Sequence, residues 1–492
     1  MRAKFLLLNN GLKDLLGHYY ESSISVAEAA RAIGLLPALA THVSCPTDIL
    51  PEWIHAYPLF RVDHFGVDAA QVAPEIPGLR ADPYAQGRLT IEDVCSGKAT
   101  VEDYVRAHVE LPESAAATHS TLTDSSLQHP VEQTLSQETV RALTDVACLA
   151  DIELAMIFKQ DLERFLSLVG ISRADHVFLP TAHGRDLLSA ALVVRRFGEE
   201  FAPTFHLEFR HSVFLADPVA HPVQDRPYLA QHRAYFAAYA KAGPSARIHL
   251  YTDTEELAQE YRALSGFHFE VLPIPFRSNS ILSGQRSAGH PLCFAYVGEA
   301  RDEKGFHWLP DAIDALMPDY IIPGKMCFRI QTTLRQPAIH QPLSANCLPR
   351  LLNYDPKHVN LVGLGSPLSM TDYYRTLSDS DVVLCPHHAY RYRNSSSGTL
   401  IEAIVAGKPT IVPIHGWMAR QQPPGAGECF QDQRTFVEAI KRVCDNYEQY
   451  WRCAQAYRRM YRFHHAPETL IRRLVGCGSG TRMKVGAPGL VA

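Results

Sequence analysis

Residues 393–413, RNSSSGTLIEAIVAGKPTIVP, constrain the fold of this chain more than any other stretch, because loop, helix and buried strand follow one another without a gap. Ser395, Ser396, Ser397 and Gly398 precede an apolar-periodic run of Leu400, Ile401, Ile404 and Val405, which is the pattern of a hydroxyl-capped helix start. Gly407 stops the helix and Pro409 prevents its return. The first turn of such a helix leaves backbone N–H groups unpaired and carries partial positive charge, which suits a phosphate or diphosphate; Gly398 removes the side chain that would block close approach. An ordinary capped helix in a βα unit can show the same cluster. Glu402 shifts the balance, because a carboxylate one turn inside, beside Ile401 and Ala403, has no packing purpose and can accept hydrogen bonds from vicinal ribose hydroxyls.

A chain of 492 residues with 46% hydrophobic content is long enough for two domains with real cores. Lys and Arg number 47 against 52 Asp and Glu, a net charge of −5, which gives no electrostatic case for nucleic acid. No apolar run approaches the roughly 18 residues of a membrane span, and residues 5–8 are too short for a signal-peptide core. A cytoplasmic location is therefore expected, with peripheral membrane association left open. The eleven cysteines contain no C-x-x-C pair and read as small buried hydrophobes in a reducing compartment. Histidine pairs such as His387-His388 and His464-His465 lack the i, i+4 spacing of helical metal ligands, so no metal site is expected.

Residues 4–9 form an expected first strand, followed by a loop with Gly17 and His18, a helix over 23–33 and a second strand over 36–42. Prolines punctuate 46–83, where long regular elements are not expected, and residues 110–137 read as a mobile insertion. A long helix is expected near 137–168. Strand 175–180, the Thr181-Ala182-His183-Gly184 turn and helix 185–196 lead to Pro203-Thr204-Phe205-His206 and a segment over 207–214. This order predicts a parallel sheet, with His183 and His206 at strand ends where ligands gather. Either histidine could equally be a hydrogen-bonded structural residue. Arg210 and His211 can reach the same place but belong to no motif.

After a helix over 228–241, a strand over 246–252 and a helix over 254–264, the polar run 277–290 reads as an interdomain linker. Strand 291–298 opens a second domain and leads into Glu299-Ala300-Arg301-Asp302-Glu303-Lys304-Gly305. Two cations three apart beside a glycine can neutralise a diphosphate, although a solvated charged turn looks the same. Strands over 325–332, 359–364 and 381–385, with a helix over 370–377, fill the space before the serine-glycine helix. Two helices, 433–447 and 448–475, follow it. Residues 476–492 have little to pack and read as a disordered tail.

These motifs resemble retaining GT-B glycosyltransferases, whose donor motif is a glutamate, seven residues and a second glutamate before a glycine–proline turn. Glu402 matches the second glutamate and Ala406-Gly407-Lys408-Pro409 the turn, whereas Asn394 stands where the first glutamate would be. The resemblance implies an α/β fold of two Rossmann-like, doubly wound domains facing a cleft. Residues 1–276 would form the acceptor domain and 291–447 the donor domain, with 448–475 crossing back. It further implies that Arg301 and Lys304 face the donor diphosphate and that Asn394, Ser396, Ser397, Gly398, Thr399 and Glu402 line the donor site. His206 would act at the transferred sugar, and Gly17, His18 and His183 would lie on the acceptor side. The co-substrate would be a nucleotide-diphosphate sugar, with no other cofactor and no metal; the acceptor would be a glycan, a lipid-linked sugar or a protein. Two alternatives stay open: with Asn394 in place of the first glutamate, a weak or inactive homologue serving as a partner or regulatory subunit; and a nucleotide-sugar epimerase or hydrolase of the same fold.

Overall fold

The computed structural model describes residues 2–14, 18–63, 149–213, 226–276, 289–333, 341–364 and 366–476. The expected insertion at 110–137, Gly17, most of the linker and the tail beyond residue 476 lie outside them.

Two wholly parallel sheets organise the described residues. The first contains β1 (Lys4–Asn9), β2 (Leu36–His42), β3 (His55–Phe60), β4 (His176–Leu179), β5 (Thr204–Phe209), β6 (Ile248–Thr252) and β7 (Glu270–Val271), in the spatial order β3-β2-β1-β4-β5-β6-β7. Helices α1 (His18–Ala32), α2 (Leu149–Val169), α3 (Gly184–Phe197), α4 (Arg226–Ala242) and α5 (Glu255–Ser265) flank it. Both faces of β1 are covered, so alternate residues enter different cores: Leu6 and Leu8 pack with Phe158 and Phe165 of α2, while Phe5 and Leu7 pack with Ile24 and Ala27 of α1. Each such side chain contributes roughly 1.5–3 kcal/mol of burial free energy. Pro58 is tolerated in β3 because β3 is an edge strand, which the proline-punctuated sequence concealed.

The second sheet contains β8 (Leu292–Tyr296), β9 (Met326–Gln331), β10 (Val359–Val362), β11 (Val382–Leu384), β12 (Thr410–Pro413) and β13 (Gly427–Phe430), ordered β10-β9-β8-β11-β12-β13. Around it lie α6 (Leu309–Leu316), α7 (Pro342–Leu352), α8 (Met370–Ser378), α9 (Gly398–Val405), α10 (Trp417–Gln421), α11 (Gln433–Asp445) and α12 (Tyr447–His464); α13 (Pro467–Gly476) follows. In each sheet the strand order reverses beside the first strand, at β1/β4 and at β8/β11, and loops leaving adjacent strands there splay apart into a crevice.

The expected single helix over 448–475 is two. The break falls at His465 and Ala466, and Pro467 opens α13 at a position where its missing N–H costs nothing. Helix α12 stays with the second sheet, where Gln455 Nε2 donates to Gly407 O at 2.9 Å and Arg458 Nε to Val405 O at 3.1 Å. Helix α13 returns to the first, burying Leu470, Ile471 and Leu474 with Phe5, Leu7 and α1.

Candidate functional site

The β8/β11 switch brings the two sequence motifs together. Gly298, just past β8, has φ +119°, a conformation open to glycine, and its N–H donates to Gln331 Oε1 at 2.7 Å. A β-carbon on Gly298 would stand 3.3 Å from Lys304 Nζ and 3.8 Å from Thr399 Oγ1. The lysine ammonium and the first turn of α9 therefore converge on one point, at the end of the strand between them. Gly305, with φ +68°, closes the Arg301–Lys304 turn; a β-carbon there would fall 1.8 Å from Pro386 O. The His388 N–H donates to Glu303 O at 2.9 Å, so the cationic turn and the loop entering α9 are locked to each other.

Ser397 caps α9, its Oγ accepting from the Leu400 N–H at 3.4 Å, and Gly398 is exposed with nothing within 4 Å of where its β-carbon would be. The helix tip is thus open to the cleft. Burial pulls the Lys304 ammonium down to about 8, and neighbouring Arg301 pulls in the same direction. Burial opposes the charge of Arg301, but Tyr392, Glu303 and Glu299 outweigh it and hold that guanidinium above its ordinary value. Its Nη1 lies 3.0 Å from Glu303 and its Nε 3.5 Å from Glu299. Glu402 is pushed up to about 7 by burial, against the hydrogen bond from Tyr373 and the charge of Lys304.

These groups line one side of a cleft of about 1950 Å³ between the two sheets. The facing wall belongs to the first domain and includes Tyr19, His183, Arg185, Arg210 and Asp253. His183 opens α3 and its ring stacks on His211 at 5.6 Å. His18 begins α1. Arg210 Nη2 sits 3.0 Å from Glu208, and its Nε lies 3.8 Å from Asp253. Burial raises Glu208 to about 7 and raises Asp253 as well.

His206 is a correction. Strand β5 begins at Thr204, so His206 stands in its middle instead of at its end; the side chain is fully buried and does not line the cleft. His176 Nδ1 lies 3.0 Å from His206 Nε2, Tyr251 Oη lies 3.1 Å from its Nδ1, and His249 stacks on the ring at 5.5 Å. The ring links β4, β5 and β6, and Arg210, beyond the strand end, lines the cleft instead.

Asn394, Ser396, Ser397, Gly398, Thr399 and Glu402 all line the cleft, as do Arg301 and Lys304. Several lining residues escaped the sequence reading. Tyr373 and His387 carry no motif, and the carboxylates Asp253, Glu256 and Glu260 look from sequence like an acidic helix start. Among the described residues, no group of three or more His, Cys, Asp or Glu is arranged to hold a metal ion. Among the same residues, no helix is long and apolar enough to cross a membrane.

No family model matches this sequence, and no curated protein matches it. Its fold, however, is shared with solved structures. The sucrose-phosphate synthase of Thermosynechococcus elongatus superposes with a TM-score of 0.57 at 13% identity, covering 97% of this chain and 98% of its own. HepE of Anabaena, in complex with UDP, gives 0.55 at 11% identity over 97% and 100% of the two chains. WaaG, a glycosyltransferase involved in lipopolysaccharide biosynthesis, gives 0.52 at 12% identity over 96% and 100%. Two doubly wound parallel sheets across a cleft, matched over nearly the whole chain by such enzymes, are the GT-B fold.

Proposed function

We propose that the protein is a glycosyltransferase that moves a sugar from a nucleotide-diphosphate donor to an acceptor bound on the first domain. The observation that carries this reading is the convergence of Lys304 Nζ and Thr399 Oγ1 on Gly298, at the switch point of the second sheet. Breaking the bond between the anomeric carbon and the diphosphate leaves an electron pair on a phosphate oxygen. In this reading Lys304, Arg301 and the N–H groups of α9 would meet that charge, as preorganised donors lower the barrier where charge develops. Glu402 would accept hydrogen bonds from the ribose, and the acceptor hydroxyl would approach from the side of His183 and Arg210. Residues 1–276 would then serve as the acceptor domain and 291–447 as the donor domain.

HepE is seen with UDP and with UDP-glucose, which makes a UDP-sugar the first donor to try. The test is to incubate the purified protein with UDP-, GDP-, ADP- and dTDP-sugars and a panel of acceptors, following nucleotide release and product mass. Transfer from one donor class is expected. The anomeric configuration of the product, read by NMR, decides between retention, which the motif resemblance suggests, and inversion. Nucleotide release without any glycosylated product would point to hydrolysis, and silence across the panel would overturn the reading.

A further inference from the structure

The segment before α9 does not stand alone over the second sheet. Asn394 Nδ2 donates to Glu260 Oε2 at 2.7 Å, Ser396 Oγ donates to Asp253 Oδ2 at 2.5 Å, and Thr254 Oγ1 donates to Asn394 O at 2.6 Å. Close by, Arg420 forms an ion pair with Glu256. All four first-domain partners come from α5 or the residues just before it. In three of the four contacts the second domain donates, from Asn394, Ser396 and Arg420, to carboxylates of the first; Thr254 donates the other way. Glu260 is itself fixed, its Oε1 accepting from the Val213 N–H at 2.5 Å and from Ser212 Oγ at 2.9 Å.

We propose that Glu260 is a positioning residue of the donor site, paired across the cleft with Asn394 in a carboxylate–amide contact that holds the segment entering α9 in place. This explains why position 394 is an asparagine. A glutamate there, one methylene longer, would crowd a second carboxylate against Glu260, where two like charges repel and neither can donate. The pair is complementary only while one member is an amide. Its reverse should serve equally: in N394E/E260Q the amide introduced at position 260 would donate to the carboxylate introduced at position 394, while the amide's carbonyl oxygen would still accept from Val213 and Ser212. The role in the donor site rests on the glycosyltransferase reading, but the pair itself does not.

The test is a double-mutant cycle with N394E, E260Q and N394E/E260Q, read two ways. The first readout needs no donor: hydrogen exchange of peptides spanning 253–262 and 393–401 in the ligand-free full chain. N394E should speed exchange in both peptides and the double variant should return both to wild-type rates; a merely local effect at 394 would leave 253–262 unchanged. The second is donor turnover, for which N394E should lose about tenfold or more in kcat/KM and the double variant should recover most of it. E260Q alone, which a flipped Asn394 amide can still meet, should lose less than N394E. Wild-type exchange at 253–262 in N394E, or a double variant as impaired in exchange as the single, would overturn the proposal. If wild-type protein processes no nucleotide sugar, the functional reading fails while the exchange measurement still decides the pair.

Discussion

The phenol of Tyr373 donates a hydrogen bond to Oε2 of Glu402 at 2.5 Å, one turn inside the helix whose tip faces the cleft. Burial holds the Glu402 carboxyl at about 7, and this hydrogen bond is among the forces pulling it back down. The ionised form is the stronger acceptor for the hydroxyls of a ribose. Nucleotide affinity should therefore increase as pH rises through about 7, and Tyr373→Phe should move that inflection to higher pH. Calorimetric titration of the nucleoside diphosphate at several pH values checks this; a flat profile in both proteins would contradict it.

The same group leaves a mark on stability. Its folded value, about 7, lies above its ordinary value of 4.5, so the protonated carboxyl favours the fold. That contribution is fully present below about 4.5 and is lost as pH rises through about 7. Glu402→Gln cannot titrate, so the stability of the variant relative to wild type should grow across this window and level off above it. Chemical denaturation of both proteins at matched pH values measures the difference.

Burial, with the neighbouring charge of Arg301, holds Lys304 down to about 8. Donor binding should weaken as pH rises beyond that value, and Lys304→Arg, whose guanidinium stays charged, should push the weakening to higher pH. Lys304→Ala should cost about 1–3 kcal/mol of donor binding or turnover, the range for a charged hydrogen bond. Steady-state kinetics of the variants against pH provide the check.

Gly305 is predicted to be irreplaceable. A β-carbon there would lie 1.8 Å from a backbone carbonyl, and φ is +68°. Because that contact is with backbone, no rotamer change can relieve it. Gly305→Ala should displace the Arg301–Lys304 turn, with a lower Tm and donor affinity reduced by at least about tenfold. A variant with wild-type Tm and affinity would show that the turn is not held in this way.

His206→Phe separates structure from chemistry. Removing the ring nitrogens takes away the hydrogen bonds that His206 shares with Tyr251 Oη and His176 Nδ1. Stability should fall by roughly 1–3 kcal/mol, while kcat of the folded protein stays near wild type. A large loss of kcat with unchanged stability would return this histidine to the active site.

The second domain was the more legible half of the sequence. Continuous apolar runs at 292–296 and 382–384 mark parallel strands buried on both faces, and Ser397 with Gly407 brackets α9 as local capping chemistry requires. The resemblance supplied the fold name, and the strand order agrees with it. What stayed hidden depends on contacts distant in sequence. Reading Pro203 to His206 as a separate segment put His206 at a strand end; β5 actually runs from Thr204 to Phe209, which sets His206 three residues back from that end, inside the sheet. Glu260 and Asp253 face Asn394 and Ser396 across 134 and 143 residues of chain. No local pattern encodes such a pairing. Tyr373 likewise meets Glu402 across 29 residues of chain.

If Arg301, Lys304 and the start of α9 grip the diphosphate of a nucleotide donor, then removing both cations should abolish that grip. Calorimetric titration of UDP into wild type and into Arg301→Ala/Lys304→Ala, with GDP, ADP and dTDP as further arms, tests this most directly. Saturable binding of at least one nucleoside diphosphate to wild type is expected, with a loss of about a hundredfold or more in the double variant. Binding of equal strength to both proteins, or no binding of any of the four to wild type, would contradict it.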